Sequence, residues 1–199
     1  MNSSRITALY YDQGNVSLFL KKGTGRPLAG DLLVEINTQP GLAYALGLET
    51  PRGFPGIIGL LSGMKIADLQ HQSSLFPAPL IPAPGPLVNG SLLTEAICHM
   101  RTTTDLPQEV SLLIPYRMIP VLGPALLLLD QHAILLDTSL PPHRDLTNWI
   151  TPLQEEGILS ASNFLGLFSY QSNPAFSDEK QQTLLRDLLA AKLSDLAKM

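Results

Sequence analysis

From Leu69 to Thr94 the chain carries no Asp, Glu, Lys or Arg, and within that stretch stands Pro77-Ala-Pro79-Leu-Ile-Pro82-Ala-Pro84-Gly-Pro86. Proline fixes φ near −65° and has no backbone N–H, so closely spaced prolines remove backbone donors and favour an extended, polyproline-like strap. Flexible linkers are far more polar than this one. The stretch at about 74–90 is therefore expected to lie over the chain's own apolar surface. Its functional counterpart is a docking segment, since Pro79-x-x-Pro82 suits an aromatic-lined groove, although no Lys or Arg flanks the motif to orient it.

Such a strap needs a large core to lie on. The chain has 199 residues, 45% of them hydrophobic and only 15% charged. At this length a single core buries roughly 70% of the unfolded surface, so one domain over 1–199 needs neither disulfide nor structural metal. The net charge is −4, and Lys and Arg are scattered singly apart from Lys21–Lys22. That argues against nucleic acid as the main partner, because a phosphate backbone requires a clustered basic face. The most apolar run, Leu112 to Leu129, contains Arg117, Pro115, Pro120 and Pro124, which disqualifies it as a bilayer-spanning helix. No apolar core of signal-peptide length follows Arg5, and the single Cys98 suits a reducing compartment. The expected location is cytoplasmic.

Local patterns predict a mostly antiparallel α+β fold. Ile6–Tyr11 and Val16–Leu20 flank Asp12-Gln-Gly-Asn15 as an opening hairpin, and Asp31–Asn37 supplies a third strand. Leu42–Leu48 reads as a short helix or strand and Ile57–Gln72 as a helix. Ser91–Thr103 is a helix with Leu92, Leu93, Ala96, Ile97 and Met100 at helical spacing, and Glu109–Tyr116 is a strand. Pro124–Asp130 and Ala133–Thr138 read as a hairpin around Gln131-His132, their continuous leucines implying cover on both faces. Two short helices follow, one from near Asp145 and one capped by Thr151, then a strand at Phe164–Tyr170. Ser177 caps an amphipathic C-terminal helix whose Leu185, Leu188, Leu189, Leu193 and Leu196 form one stripe. The expected architecture is a sheet of six to eight strands with about three helices packed on it.

Chemistry is harder to find. Asp130-x-His132 and His143-x-Asp145 pair imidazole with carboxylate, a suitable donor set for a divalent metal if the two pairs converge, with Asp137 as a further member. The competing reading makes Asp130 and His132 turn residues and Asp145 a helix cap. Cys98 with His132 or His143 as base would make a thiol site, but its place beside Ile97 on an amphipathic helix points to core packing. His143-Arg-Asp-Leu146 copies the start of a kinase catalytic loop, yet Ile150 stands where the magnesium-binding Asn belongs, and no glycine-rich phosphate loop lies upstream. Ser62-x-x-Lys65 and Ser177-x-x-Lys180 are too short as patterns to define a nucleophile.

The absence of a strong catalytic motif and the surplus of leucine point to a cytoplasmic, non-enzymatic accessory factor, chaperone-like protein or complex subunit. Its expected partner is another protein or a second copy, met through Pro79, Pro82, Leu185, Leu189, Leu193 and Leu196. The alternative is an enzyme or small-molecule binder, possibly metal-dependent, with a pocket near Asp130–Asp145.

Overall fold

Residues 5–11 and 109–115 are β-prone runs with no polar–apolar alternation, and in each every residue after the first is buried. A strand apolar on both faces must be covered on both faces, which is the signature of a parallel sheet between layers. The computed structural model describes residues 4–11, 31–38, 40–84, 89–137 and 146–170. Six strands form one sheet: β1 (Arg5–Tyr11), β2 (Leu32–Glu35), β3 (Leu80–Ile81), β4 (Glu109–Pro115), β5 (Gln131–Asp137) and β6 (Phe164–Tyr170), in spatial order β3-β2-β4-β1-β5-β6. Every strand pair is parallel.

The antiparallel α+β expectation is therefore corrected to an all-parallel α/β sheet. Asp31–Asn37 does hold a strand, but its partners are β4 and β3 rather than an opening hairpin; Val16–Leu20 lies outside the described residues. The hairpin expected around Gln131-His132 is absent because its first arm is helical. Gly123 turns with φ +44°, Pro124 starts a 3₁₀ segment over Gly123–Leu128, and the strand begins only at Gln131.

The helices fill the crossovers. They are α1 (Gly41–Ala45), α2 (Ile66–Leu69), α3 (Gly90–Thr102), α4 (Ile119–Leu122) and α5 (Leu146–Glu155). Ile57–Gln72 is broken: a 3₁₀ segment over Gly56–Ser62 ends at Gly63, with φ +81°, and α2 follows. Helix α3 is capped two residues earlier than Ser91 implied, Asn89 Oδ1 accepting from Leu92 N at 2.9 Å. The two helices expected after Asp145 are one, which runs through Pro152.

One core packs Ile6, Ala8 and Tyr10, with Leu112 and Ile114, against Leu93, Ala96, Ile97 and Met100 of α3; a second packs Leu9, Leu33, Leu113 and Leu135 against Leu42, Leu46 and Phe76. The proline strap becomes the sheet's edge. Leu80 and Ile81 form β3, Pro79 O accepts from Leu33 N at 3.0 Å, and the flanking Pro82 and Pro84 are buried. A two-residue strand framed by prolines closes that edge to further pairing.

Candidate functional site

In an open parallel sheet, ligands bind at the carboxyl ends of the strands where adjacent strands send their connections in opposite directions. Here β4 and β1 are such a pair, as are their flanking pairs β2 with β4 and β1 with β5. The chain leaves β1 for β2 on one side and leaves β4 for β5 on the other, each passing over its neighbour. In register, Tyr11 of β1 lies beside Pro115 of β4 and Leu135 of β5.

Pro115 holds an extended conformation and hands the chain to a single 3₁₀ turn, Tyr116–Met118. Tyr116 is buried, and its hydroxyl donates to Leu135 O at 2.9 Å, so it reaches past the end of β1 to β5. Met118 is buried as well, which leaves Arg117 as the exposed residue of that turn. Its guanidinium Nη2 donates to Asn37 Oδ1 at 2.7 Å, and the same oxygen accepts from Thr38 N at 2.8 Å. A cation is thereby held between the ends of β4 and β2, beside the switch point.

Glu35, the last residue of β2, is wholly buried. Its Oε1 accepts from Leu42 N at 2.7 Å, and its Oε2 from Ala43 N at 3.4 Å and Ala83 N at 3.3 Å. Burial raises its pKa above the ordinary carboxylate range, against the opposing pull of the Leu42, Ala83, Ala43 and Gly41 amides.

Of the proposed metal ligands, Asp130 and His132 lie among the described residues, and neither stands at this crevice. Asp130 precedes β5, at the opposite edge of the sheet. One of its oxygens accepts from Ile6 N at 2.7 Å and the other from Arg101 Nη2 at 2.9 Å. His132 is buried, its ring stacked on Tyr10 with centroids 5.8 Å apart and its Nδ1 2.9 Å from the Tyr10 hydroxyl. Burial lowers its pKa to about 4, only partly opposed by Asp130, and the same burial pushes the Tyr10 phenol above its usual range. Among the described residues its Nε2 has no hydrogen-bond partner. His143 and Asp145 lie outside the described residues, and among the described residues no group of three His, Cys, Asp or Glu is placed to hold a metal. Asp137 ends β5.

Cys98 is exposed, contrary to the core position expected of it, because it falls between the buried Ile97 and Met100 on the outer side of α3. Of the interface candidates, Pro79 is half-buried and Pro82 buried in the edge strand, while Leu185, Leu189, Leu193 and Leu196 lie outside the described residues. Sequence reasoning missed Glu35, Asn37 and Arg117. The available signal was a carboxylate closing an apolar strand just before Asn37-Thr-Gln-Pro-Gly41, and a lone cation in the Leu112–Leu129 run.

The sequence matches no protein-family model and no curated protein. The fold, by contrast, has solved counterparts. The cobyrinic acid a,c-diamide synthase of Mycobacterium smegmatis, with bound ATP analogue and magnesium, superposes with a TM-score of 0.58 at 16% identity, over 92% of this chain and 78% of that one. The MinD cell division protein of Aquifex aeolicus, in complex with MinC, gives 0.58 at 16% identity over 82% and 68%. The VpsO kinase domain gives 0.58 at 16% over 85% and 86%. This chain shares the fold of these three proteins.

That likeness overturns the expectation of a non-enzymatic accessory factor acting through protein contacts. Among the described residues, strand leucines such as Leu9, Leu33, Leu112 and Leu113 are buried under cover on the two faces of a parallel sheet, in a fold shared with a synthase that holds an ATP analogue. No helix among the described residues is long and apolar enough to cross a membrane.

The residues do not fit the full P-loop apparatus. That apparatus needs G-x-x-x-x-G-K-[ST] after a strand, with a strand-end acid to help hold magnesium. In this chain no Gly is followed by Lys, Asp12-Gln-Gly-Asn15 follows β1, and β4 ends Ile114-Pro115 and runs on into Tyr116-Arg117, with its one acid, Glu109, at the other end.

Proposed function

We propose that this chain binds a phosphate-bearing ligand of the nucleotide class in the crevice at the carboxyl ends of β1 and β4. The observation that carries the reading is Arg117, exposed beside the switch point and held there by Asn37. Guanidinium is the side chain best matched to phosphate oxygens, and its orientation is already fixed before a ligand arrives. The likeness to a synthase that holds an ATP analogue supports a nucleotide as the ligand. Without the P-loop lysine and the strand-end acid, affinity rests on this chain's own cation and turnover is expected to be slow.

The test is titration of fluorescent ATP and ADP analogues into the full chain and into Arg117→Ala, with and without magnesium. The expected result is saturable binding that depends little on magnesium and is weakened roughly 10- to 100-fold by the substitution, as loss of a charge-assisted hydrogen bond implies. No saturable binding at millimolar analogue, or equal binding by Arg117→Ala, overturns the reading.

A further inference from the structure

We infer that Glu35 is a positioning residue of this crevice: its buried carboxylate fixes the stretch that carries Asn37, and Asn37 fixes Arg117. This rests on the ligand reading above and assigns the residue that organises the site. Three segments converge on one side chain. Leu42 and Ala43 belong to the start of α1, Ala83 follows β3, and Glu35 itself ends β2.

Beyond Glu35, Ile36 N donates to Leu113 O of β4 at 2.9 Å. Ile36–Thr38 is therefore held on one side by the β4 backbone and on the other by the carboxylate bonds that anchor α1. Asn37 sits in that stretch with its amide largely buried, one oxygen serving both Thr38 N and Arg117 Nη2.

The charge on Glu35 is answered entirely by backbone. Gly41, Leu42, Ala43 and Ala83 supply N–H groups, Leu113 is its register partner on β4, and none of these side chains titrates. On its own element, Asp31 stands at the far end, level with Glu109. Arg117 is the charged group tied to the same stretch, through Asn37 and not by a direct ion pair. Neutralising Glu35 thus leaves the ligand-facing cation in the chain but removes what aims it. A carboxamide in its place would turn an NH₂ toward amide donors that need an acceptor.

The test combines Glu35→Gln, Arg117→Ala and the double variant, with the fluorescent ATP analogue as probe and the Arg117 Nε–Hε NMR resonance as a ligand-free readout. The expected result is a loss of roughly 5- to 10-fold in affinity from Glu35→Gln in the parent and almost none in the Arg117→Ala background, since residues acting through one another are not additive. The Arg117 resonance of the free protein shifts in Glu35→Gln as it does in Asn37→Ala. Equal losses in both backgrounds, or an unmoved resonance in the folded variant, overturns the inference.

If the parent fails to bind nucleotide, the ligand reading falls alone and the resonance still decides the role of Glu35. If Glu35→Gln does not fold, acid titration of the parent replaces it. The Leu42 and Ala83 amides and the Arg117 resonance must then follow one common transition, and an Arg117 resonance that stays put overturns the inference.

Discussion

His132 offers the most quantitative test of the packing described above. The ring is 1% exposed, stacked on Tyr10 and neutral, with its pKa lowered to about 4 from an ordinary 6.5. Because the folded value lies below the unfolded one, the unfolded chain takes up a proton that the native state refuses. The resulting penalty is absent above pH 6.5, grows as pH falls, and levels off below about pH 4. Linkage across that window makes it about 2–3 kcal/mol at pH 4.5 and close to zero at pH 7.

His132→Phe keeps an aromatic ring, a larger one, at this position and removes the titration. It also leaves the Tyr10 hydroxyl without the partner it has at 2.9 Å, a cost of about 1–3 kcal/mol that does not vary over this range. Urea unfolding of both proteins at pH 7.0 and 4.5 separates the two effects, because the carboxylates that also titrate are common to both. Wild type is expected to lose about 2–3 kcal/mol more than the variant between the two pH values. Losses equal within about 0.5 kcal/mol would refute a buried neutral imidazole at this position.

Other substitutions test neighbouring parts of the scaffold. Gly56 has φ +54°, and a Cβ there would meet Pro84 N at 2.5 Å and Pro82 O at 2.8 Å, both backbone atoms. Gly56→Ala should cost about 2–5 kcal/mol and lower Tm by roughly 5–15 °C in calorimetry. Gly63→Ala, at φ +81° with open space around the new methyl, should cost only about 1–2 kcal/mol, and equal effects would contradict the close approach of the edge strand. Asp130→Ala removes acceptors from Ile6 N and Arg101. Its partly exposed position limits the loss to about 1–2 kcal/mol by urea unfolding, and a neutral result would show that the amino edge is anchored elsewhere.

How much of this was legible in the sequence varies by element. The ends of β6 read directly from Phe164–Tyr170, and α3 read to within one residue, because periodicity and flanking breakers define both. Strand direction did not read. Leu32-Leu-Val34 and Leu112-Leu-Ile114 are apolar on both faces, which is the mark of parallel pairing. Turn-forming residues at Asp12–Asn15 and Gln131-His132 nonetheless suggested hairpins, since a turn signal reports a break and not the direction in which the chain returns. That Leu80–Ile81 would be an edge strand did not read from the prolines, because it depended on Leu33 being there to receive it.

The site was less legible for a related reason. Asp130 and His132 stand two apart, a spacing that places donors together on a strand face, but each was claimed by a neighbour brought close only by parallel pairing: the Ile6 amide for Asp130 and the Tyr10 hydroxyl for His132. Arg117 and Asn37 are 80 residues apart and meet because β4 lies between β2 and β1. The fold itself does not depend on a phosphate loop, because the strands are held by Leu9, Leu33, Leu113 and their neighbours on one face and by the α3 layer on the other. The sheet thus forms without a Gly-Lys signature after β1. Under the ligand reading proposed above, what the crevice binds turns on the groups present there, so the test falls on the Arg117–Asn37 pair and the Glu35 clamp beneath it rather than on the likeness to ATP-binding proteins.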